Sequence, residues 1–294
     1  MGGFAGEYLL KFPKAWQFKS GDAIDEVVKA FSRNHAESLR AIRGVIVSAI
    51  GTIRWGLSHT PWVLLIALVI LIAWRLTKRL SVGIFFALML FFIGCCGMWE
   101  PMIETLSIVI ASVMICMALG FPLGILLAVS PRAERIVTPV LDTMQTMPSW
   151  VYLVPAVILF SVGITPALIA TVIYAVVPTV RLTSHGLLHV DREMMEASSA
   201  FGATRMQTLF KVQIPQAVPT IMAGVNQTIM MAMSMVVTCA LIGAKGLGME
   251  ILLATNRVEM GKALFPGICI VIIAIILDRL TQAAVKRSEA PRDG

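Results

Sequence analysis

The chain has 294 residues, 57% of them hydrophobic and only 14% charged, with a formal net charge of +7 and a mean hydropathy of +0.84. A soluble domain carries nearer ~25% charge, and several apolar runs reach or approach the ~20 residues a spanning helix needs, so a soluble fold is excluded and an all-α polytopic membrane protein is expected. The basic residues flank apolar runs instead of forming one patch, which points to membrane topology and against nucleic acid.

Residues 1–60 form an amphipathic N-terminal region. No secretory signal is evident, since the first twenty residues carry Lys11, Lys14 and Lys19 without a long apolar core, so insertion is expected to be led by an internal span. Leu39, Ile42, Ile46, Ile50, Ile53 and Leu57 recur at helical spacing, while Arg40, Arg43 and Arg54 share a separate stripe. Such a helix lies in the membrane interface or makes a scaffold or oligomer contact, and the sequence leaves both open.

About seven spans follow. Two peripheral ones cover roughly 61–74 and 81–99; the third covers about 105–129. Pro139, Pro148 and Pro155 predict a short helix, a break, then a fourth span through Phe160. The fifth to seventh cover about 167–182, 219–242 and 264–280. Lys and Arg concentrate in alternate loops, which predicts an external N-terminus and a cytoplasmic tail at 286–294.

Between spans five and six lies a polar island, residues 185–216, with Asp191, Arg192, Glu193, Glu196, Arg205 and Lys211. So much charge cannot sit in hydrocarbon without partners. Asp191 is placed to cap a first short helix and Gly202 to end it; residues 203–212 make a second, which Pro215 closes. Two helices around a turn present a knob that another protein can grip.

The island resembles the loop of permease subunits of bacterial ABC importers: E-A-A, three residues, G, nine residues, then I-x-L-P. Here it reads Glu196-Ala197-Ser198, then Gly202, then Val212-Gln213-Ile214-Pro215 at the same spacing, with three small replacements. The wider stretch from about Pro122 to Gln282 is similar to permeases for glycine betaine, proline and choline. The matching pieces are Pro122-Leu123-Gly124-Ile125, 141–148, 151–155, 219–228 and 275–282. The resemblance implies a permease core at 101–285 in the bacterial inner membrane, forming a homodimer with two ATP-binding subunits and an external substrate-binding protein. It makes Glu196, Ala197, Ser198, Ser199, Phe201, Gly202, Arg205 and Pro215 the cytoplasmic coupling helix and its surroundings. ATP and Mg would belong to the partner, with no cofactor in this chain. Which solute is carried stays open among glycine betaine, proline betaine, choline, carnitine and proline.

Other candidate residues carry two readings each. Trp150, Tyr152 and Tyr174 are aromatic faces suited to a quaternary ammonium ion, or interfacial anchors. Asn226, Gln227, Thr228 and Ser234 are polar at membrane depth and are expected to face the pore or the dimer axis. His185 and His189 share a helix face as a metal pair requires, but read better as polar residues at a span end, so no metal site is assigned. Residues 243–248 are glycine-rich yet lack the G-K-[ST] ending of a phosphate loop, and are read as a re-entrant turn. Asp278 and Arg279 are expected to pair. The cysteines lack the paired spacing of a zinc or disulfide framework. An ion-gradient-driven transporter is the alternative, but it needs buried ionisable residues that the later spans lack. An intramembrane enzyme is disfavoured for want of any catalytic motif.

Overall fold

A computed structural model describes residues 21–289, and these fold as helices joined by short turns. In chain order they are α1 (Gly21–Asn34), α2 (Ala36–His59), α3 (Trp62–Thr77), α4 (Leu80–Cys95), α5 (Trp99–Val129), α6 (Pro131–Thr146), α7 (Trp150–Phe160), α8 (Ile164–Leu188), α9 (Arg192–Ala200), α10 (Arg205–Thr208), α11 (Ile214–Thr238), α12 (Leu247–Asn256) and α13 (Met260–Glu289). Residues 1–20 and the end of the predicted tail lie outside the described residues.

The span count differs from the seven expected. Four helical runs are long and apolar enough to cross a membrane: Trp99–Val129, Ile164–Leu188, Arg205–Ile242 and Met260–Lys286. Two more arise if α2 with α3, bent by 98°, and α6 with α7, bent by 99°, each count as one broken span. The α4 helix is apolar but has only 16 residues. The breaks have local causes: Pro61 precedes α3, and Pro148 lies between α6 and α7, where a proline disfavours helix in the residue before it.

The core is a three-helix stack of α5, α8 and α11. Its closest approaches use glycine, because a side chain there would fill the space the neighbouring helix occupies. A Cβ on Gly124 would stand 2.6 Å from Cβ of Thr183, and one on Gly120 would stand 2.9 Å from Cγ2 of Thr179. Around this seam Ile103, Ile108, Cys116, Ala175, Met235 and Cys239 are buried. The N-terminal helix α2 is no free-lying element. Ile50 is buried against Ala111 of α5 and Leu168 of α8, and Arg54 pairs with Glu104 of α5 at 2.9 Å. This favours the scaffold reading of its apolar stripe.

The stack has two distinct ends. At one, the C-terminal parts of α5 and α8 meet the start of α11 through Leu187, Leu209, Ala217 and Ile221, with Phe121, Ile125 and Ala128 alongside. At the other, the Leu247 amide donates to Oγ1 of Thr105, 2.9 Å away, and the Gly163 amide to the carbonyl of Ile242, also 2.9 Å away. The glycine-rich segment 243–248 is bound into this second end. Gly243 and Gly246 take φ +80° and +124°, and a Cβ on Gly246 would stand 2.5 Å from Oγ1 of Thr105. Its turn leads into a helix, α12, that the sequence reading missed.

Candidate functional site

The polar island folds as a compact knob on the first of these ends. Asp191 is the N-cap of α9, its carboxylate accepting from the Glu193 amide at 2.9 Å. At the other terminus the Gly202 amide donates to the Ser199 carbonyl and the Ala203 amide to the Ser198 carbonyl. That pair of bonds closes a helix through a left-handed residue, and Gly202 supplies it with φ +74°. Thr204 then opens α10 by a reciprocal cap with Gln207. The hydroxyls of Ser198 and Thr208 lie 2.9 Å apart and tie the two short helices together.

Pro215 does not close the second helix. Residues Leu209–Gln213 form a single π-helical turn that runs without a break into α11, with Pro215 in its first turn. A proline lacks the N–H that an interior helical residue donates; the wider turn just before it already interrupts that ladder. The helical run therefore continues from Arg205 to Ile242, so the second half of the knob is continuous with a core helix, while residues 201–204 separate α9 from it. Leu209 and Thr208 are buried beneath it.

Glu196, Ala197, Ser199, Phe201, Gly202, Arg205 and Pro215 are exposed, and Ser198 is half-buried. Phe201 stands 92% exposed, with Met206, Phe210 and Met194 also open to solvent. The sequence reading had not singled out Met194, Met206 or Phe210; their apolar side chains on a charged loop were the available signal. The knob thus presents an apolar tip on a capped, charged base.

The other candidates scatter. The Tyr152 hydroxyl donates to the Met144 carbonyl at 2.5 Å, stapling the α6–α7 break, and its ring lies 6.4 Å from that of Tyr174. Trp150 is exposed and makes no ring contact with them among the described residues. Of the polar residues in α11, two face neighbours. Thr228 is fully buried, its hydroxyl 2.7 Å from that of Thr179 in α8, and the Asn226 amide donates to Asp278 of α13 at 2.8 Å. Gln227 and Ser234 lie instead on an exposed stripe with Ala223 and Met230. The expectation for this set therefore divides, because a helix turns successive residues to different sides.

Asp278 is engaged by Asn226 and by Gln282, and this corrects the expected pairing with Arg279; sequence neighbours on a helix do not face one another. The rings of His185 and His189 stack at 3.9 Å, and no group of three or more metal-binding side chains occurs among the described residues.

The fold and the knob define a polytopic helical membrane protein that carries a capped, charged knob with an apolar tip at one end. The chain belongs to the family of inner membrane components of binding-protein-dependent transport systems, whose family model matches residues 120–289. It is 41% identical to the glycine betaine transport system permease protein OpuAB of Bacillus subtilis over 89% of this chain and 92% of that one. It is 49% identical to the glycine betaine/proline betaine transport system permease protein ProW of Salmonella typhimurium over 76% of this chain and 63% of that one. Among solved structures it is similar to a chain of the MetNI methionine ABC transporter in inward-facing conformations, with a TM-score of 0.59 at 22% identity, covering 63% of this chain and 93% of that one. The resemblance read from the island is thus borne out. The chain is a multi-pass permease of the inner membrane, a transport component and not an enzyme.

Proposed function

We propose that the chain forms the translocation path of an ATP-driven importer for small betaine-type solutes, working as a homodimer with two ATP-binding subunits and an external binding protein. The solute class follows relatives that transport glycine betaine, proline betaine or carnitine, although a trimethylamine N-oxide permease of Pelagibacter ubique is also similar, at 39% identity. The observation that carries the mechanical reading is the join between knob and core. A helical run from Arg205 to Ile242 carries the second half of the knob into α11. The Ser198–Thr208 contact ties the first half, with its exposed Phe201 tip, to that run, and α11 packs along α8 at Gly224 and Thr228. Closure of the two ATPases on bound ATP draws the knobs together, α11 and α8 turn with them, and the path opens toward the binding protein. Hydrolysis reverses the motion.

In this reading the knob is cytoplasmic, so α1 and α2 lie on the external face and α13 returns to the cytoplasm. Residues 101–285 make the permease core, α3 and α4 its lipid-facing periphery, and 21–60 an external scaffold. Gln227 and Ser234, on the exposed stripe of α11, and the Tyr152–Tyr174 pair are the candidates for the path or the dimer axis; Asn226 and Thr228 hold helices together. ATP and Mg sit on the partner.

Uptake of labelled glycine betaine, choline, carnitine and proline by a transport-null strain expressing the chain with its ATPase and binding protein tests this. Uptake is expected for a betaine and is expected to stop when the ATPase is made unable to hydrolyse ATP. Uptake that survives that change, and falls instead when the ion gradient is collapsed, overturns the reading.

A further inference from the structure

At the end of the bundle away from the knob, the 98° bend between α2 and α3 faces the turn between α4 and α5 across a cavity of about 580 Å³. That is the size of a small-ligand site. Trp62, Phe91 and Trp99 line it, with Glu100 and His59. The rings of Trp62 and Phe91 have centroids 6.4 Å apart and are tilted by 46°. Trp99 is half-buried against the core and held close over Gly94, where a Cβ would lie 3.9 Å from its ring. His59 is already engaged, Nδ1 lying 3.0 Å from the Trp55 carbonyl oxygen.

The charges around it are unequal. Glu104, one turn further along α5, is neutralised by Arg54, whereas Glu100 makes no ion pair among the described residues. Its place in the first turn of α5 suits the helix dipole, and tryptophans often sit at membrane interfaces. The first account covers Glu100 and the second the two tryptophans; neither explains three rings and an unpaired carboxylate around one volume. Aromatic faces attract cations, indole most strongly. A free carboxylate repels anions, and a bare divalent metal ion needs more oxygen ligands than this lining offers.

We infer that this cavity binds an organic ammonium cation, held by the faces of Trp62, Phe91 and Trp99 and balanced by Glu100. The site is separate from the candidate path residues and needs nothing of the transport reading. Its occupant is either a free ammonium compound or the ammonium headgroup of a lipid.

The test is equilibrium dialysis of labelled tetramethylammonium against the purified full-length chain in a nonionic detergent, with sodium chloride holding ionic strength constant. Saturable binding is expected. It should weaken about 3-fold or more in Trp62→Ala and in Glu100→Gln, with Trp62→Phe recovering most of the loss. No saturable binding, or equal affinity in the parent, Trp62→Ala and Glu100→Gln, overturns the proposal, the latter by placing the ion elsewhere. Trp62 is half exposed, so its truncation leaves the fold standing. Repeating the titration in discs of phosphatidylglycerol alone and of phosphatidylethanolamine separates the sources. Competition by phosphatidylethanolamine identifies a headgroup site, and undiminished binding in both identifies a site for free ammonium ions. Neither arm reads uptake, so failure here leaves the transport reading intact, and the converse holds.

Discussion

Truncating Phe201 to alanine isolates docking from folding. The side chain is 92% exposed and belongs to none of the buried clusters, so its removal should leave the unfolding midpoint within about 2 °C of the parent. Seated in a groove of the ATP-hydrolysing subunit, the same ring would bury nearly all of its surface. Burying a phenylalanine is worth about 2–3 kcal/mol, or about 30- to 150-fold in affinity. Exposed aromatic anchors at the centre of an interface commonly cost that much when cut back. The assay is titration of the cognate ATPase subunit onto the chain in lipid nanodiscs, with the unfolding midpoint measured in parallel. Solute uptake should fall with the affinity. A variant that binds the ATPase as tightly as the parent would refute the placement of this face in the partner's groove.

Three further outcomes follow from particular contacts. Gly202→Asp puts a carboxylate on the residue at φ +74° that ends α9, where the helix dipole disfavours negative charge, and should abolish uptake while membrane insertion stays normal; Gly202→Asn, uncharged and sometimes found at such helix ends, should retain more. Thr179→Val and Thr228→Val should each destabilise the chain in mixed-micelle unfolding, and the double variant should lose less than the sum by about 0.5–1.5 kcal/mol, as for paired hydroxyls in a membrane bundle; strict additivity would show that the two hydroxyls do not interact. Gly124→Ala places a methyl group 2.6 Å from Cβ of Thr183 and should cost about 1–3 kcal/mol through overpacking, read as greater protease sensitivity, whereas the same change should cost less in a Thr183→Gly background, which lacks that Cβ.

What was legible in the sequence was local. Asp191 and Gly202 announced the ends of α9 because caps depend on one residue and its own backbone, and both are realised. The motif at 196–215 carried the family because its spacing is a linear property. Misreadings arose where a neighbour decides. Pro215 looked like a helix stop, yet a π turn ahead of it lets the helix run on. Asn226 and Thr228 were expected to face the pore or the dimer axis; that they also join α11 to α13 and α8 depends on Asp278 and Thr179, which lie 52 and 49 positions away. The α12 helix, ten residues between glycine and a left-handed Val258, was too short to show a period. The breaks before α3 and α7 were legible in Pro61 and Pro148, whereas the number of crossings was less so: length and apolar composition support four to six, and the apolar α4, at 16 residues, is short for a span.

The wide turn at Leu209–Gln213 also sets the angular phase of everything beyond it. Such a turn holds one residue more than an α turn, so a single deletion there closes it to an ordinary α turn and leaves Thr228 on Thr179 and Gly224 against Pro178. A single insertion has no such outlet: it swings the rest of α11 by about 100° and takes both contacts apart. The segment beneath the tip is thus tolerant of shortening by one residue and intolerant of lengthening.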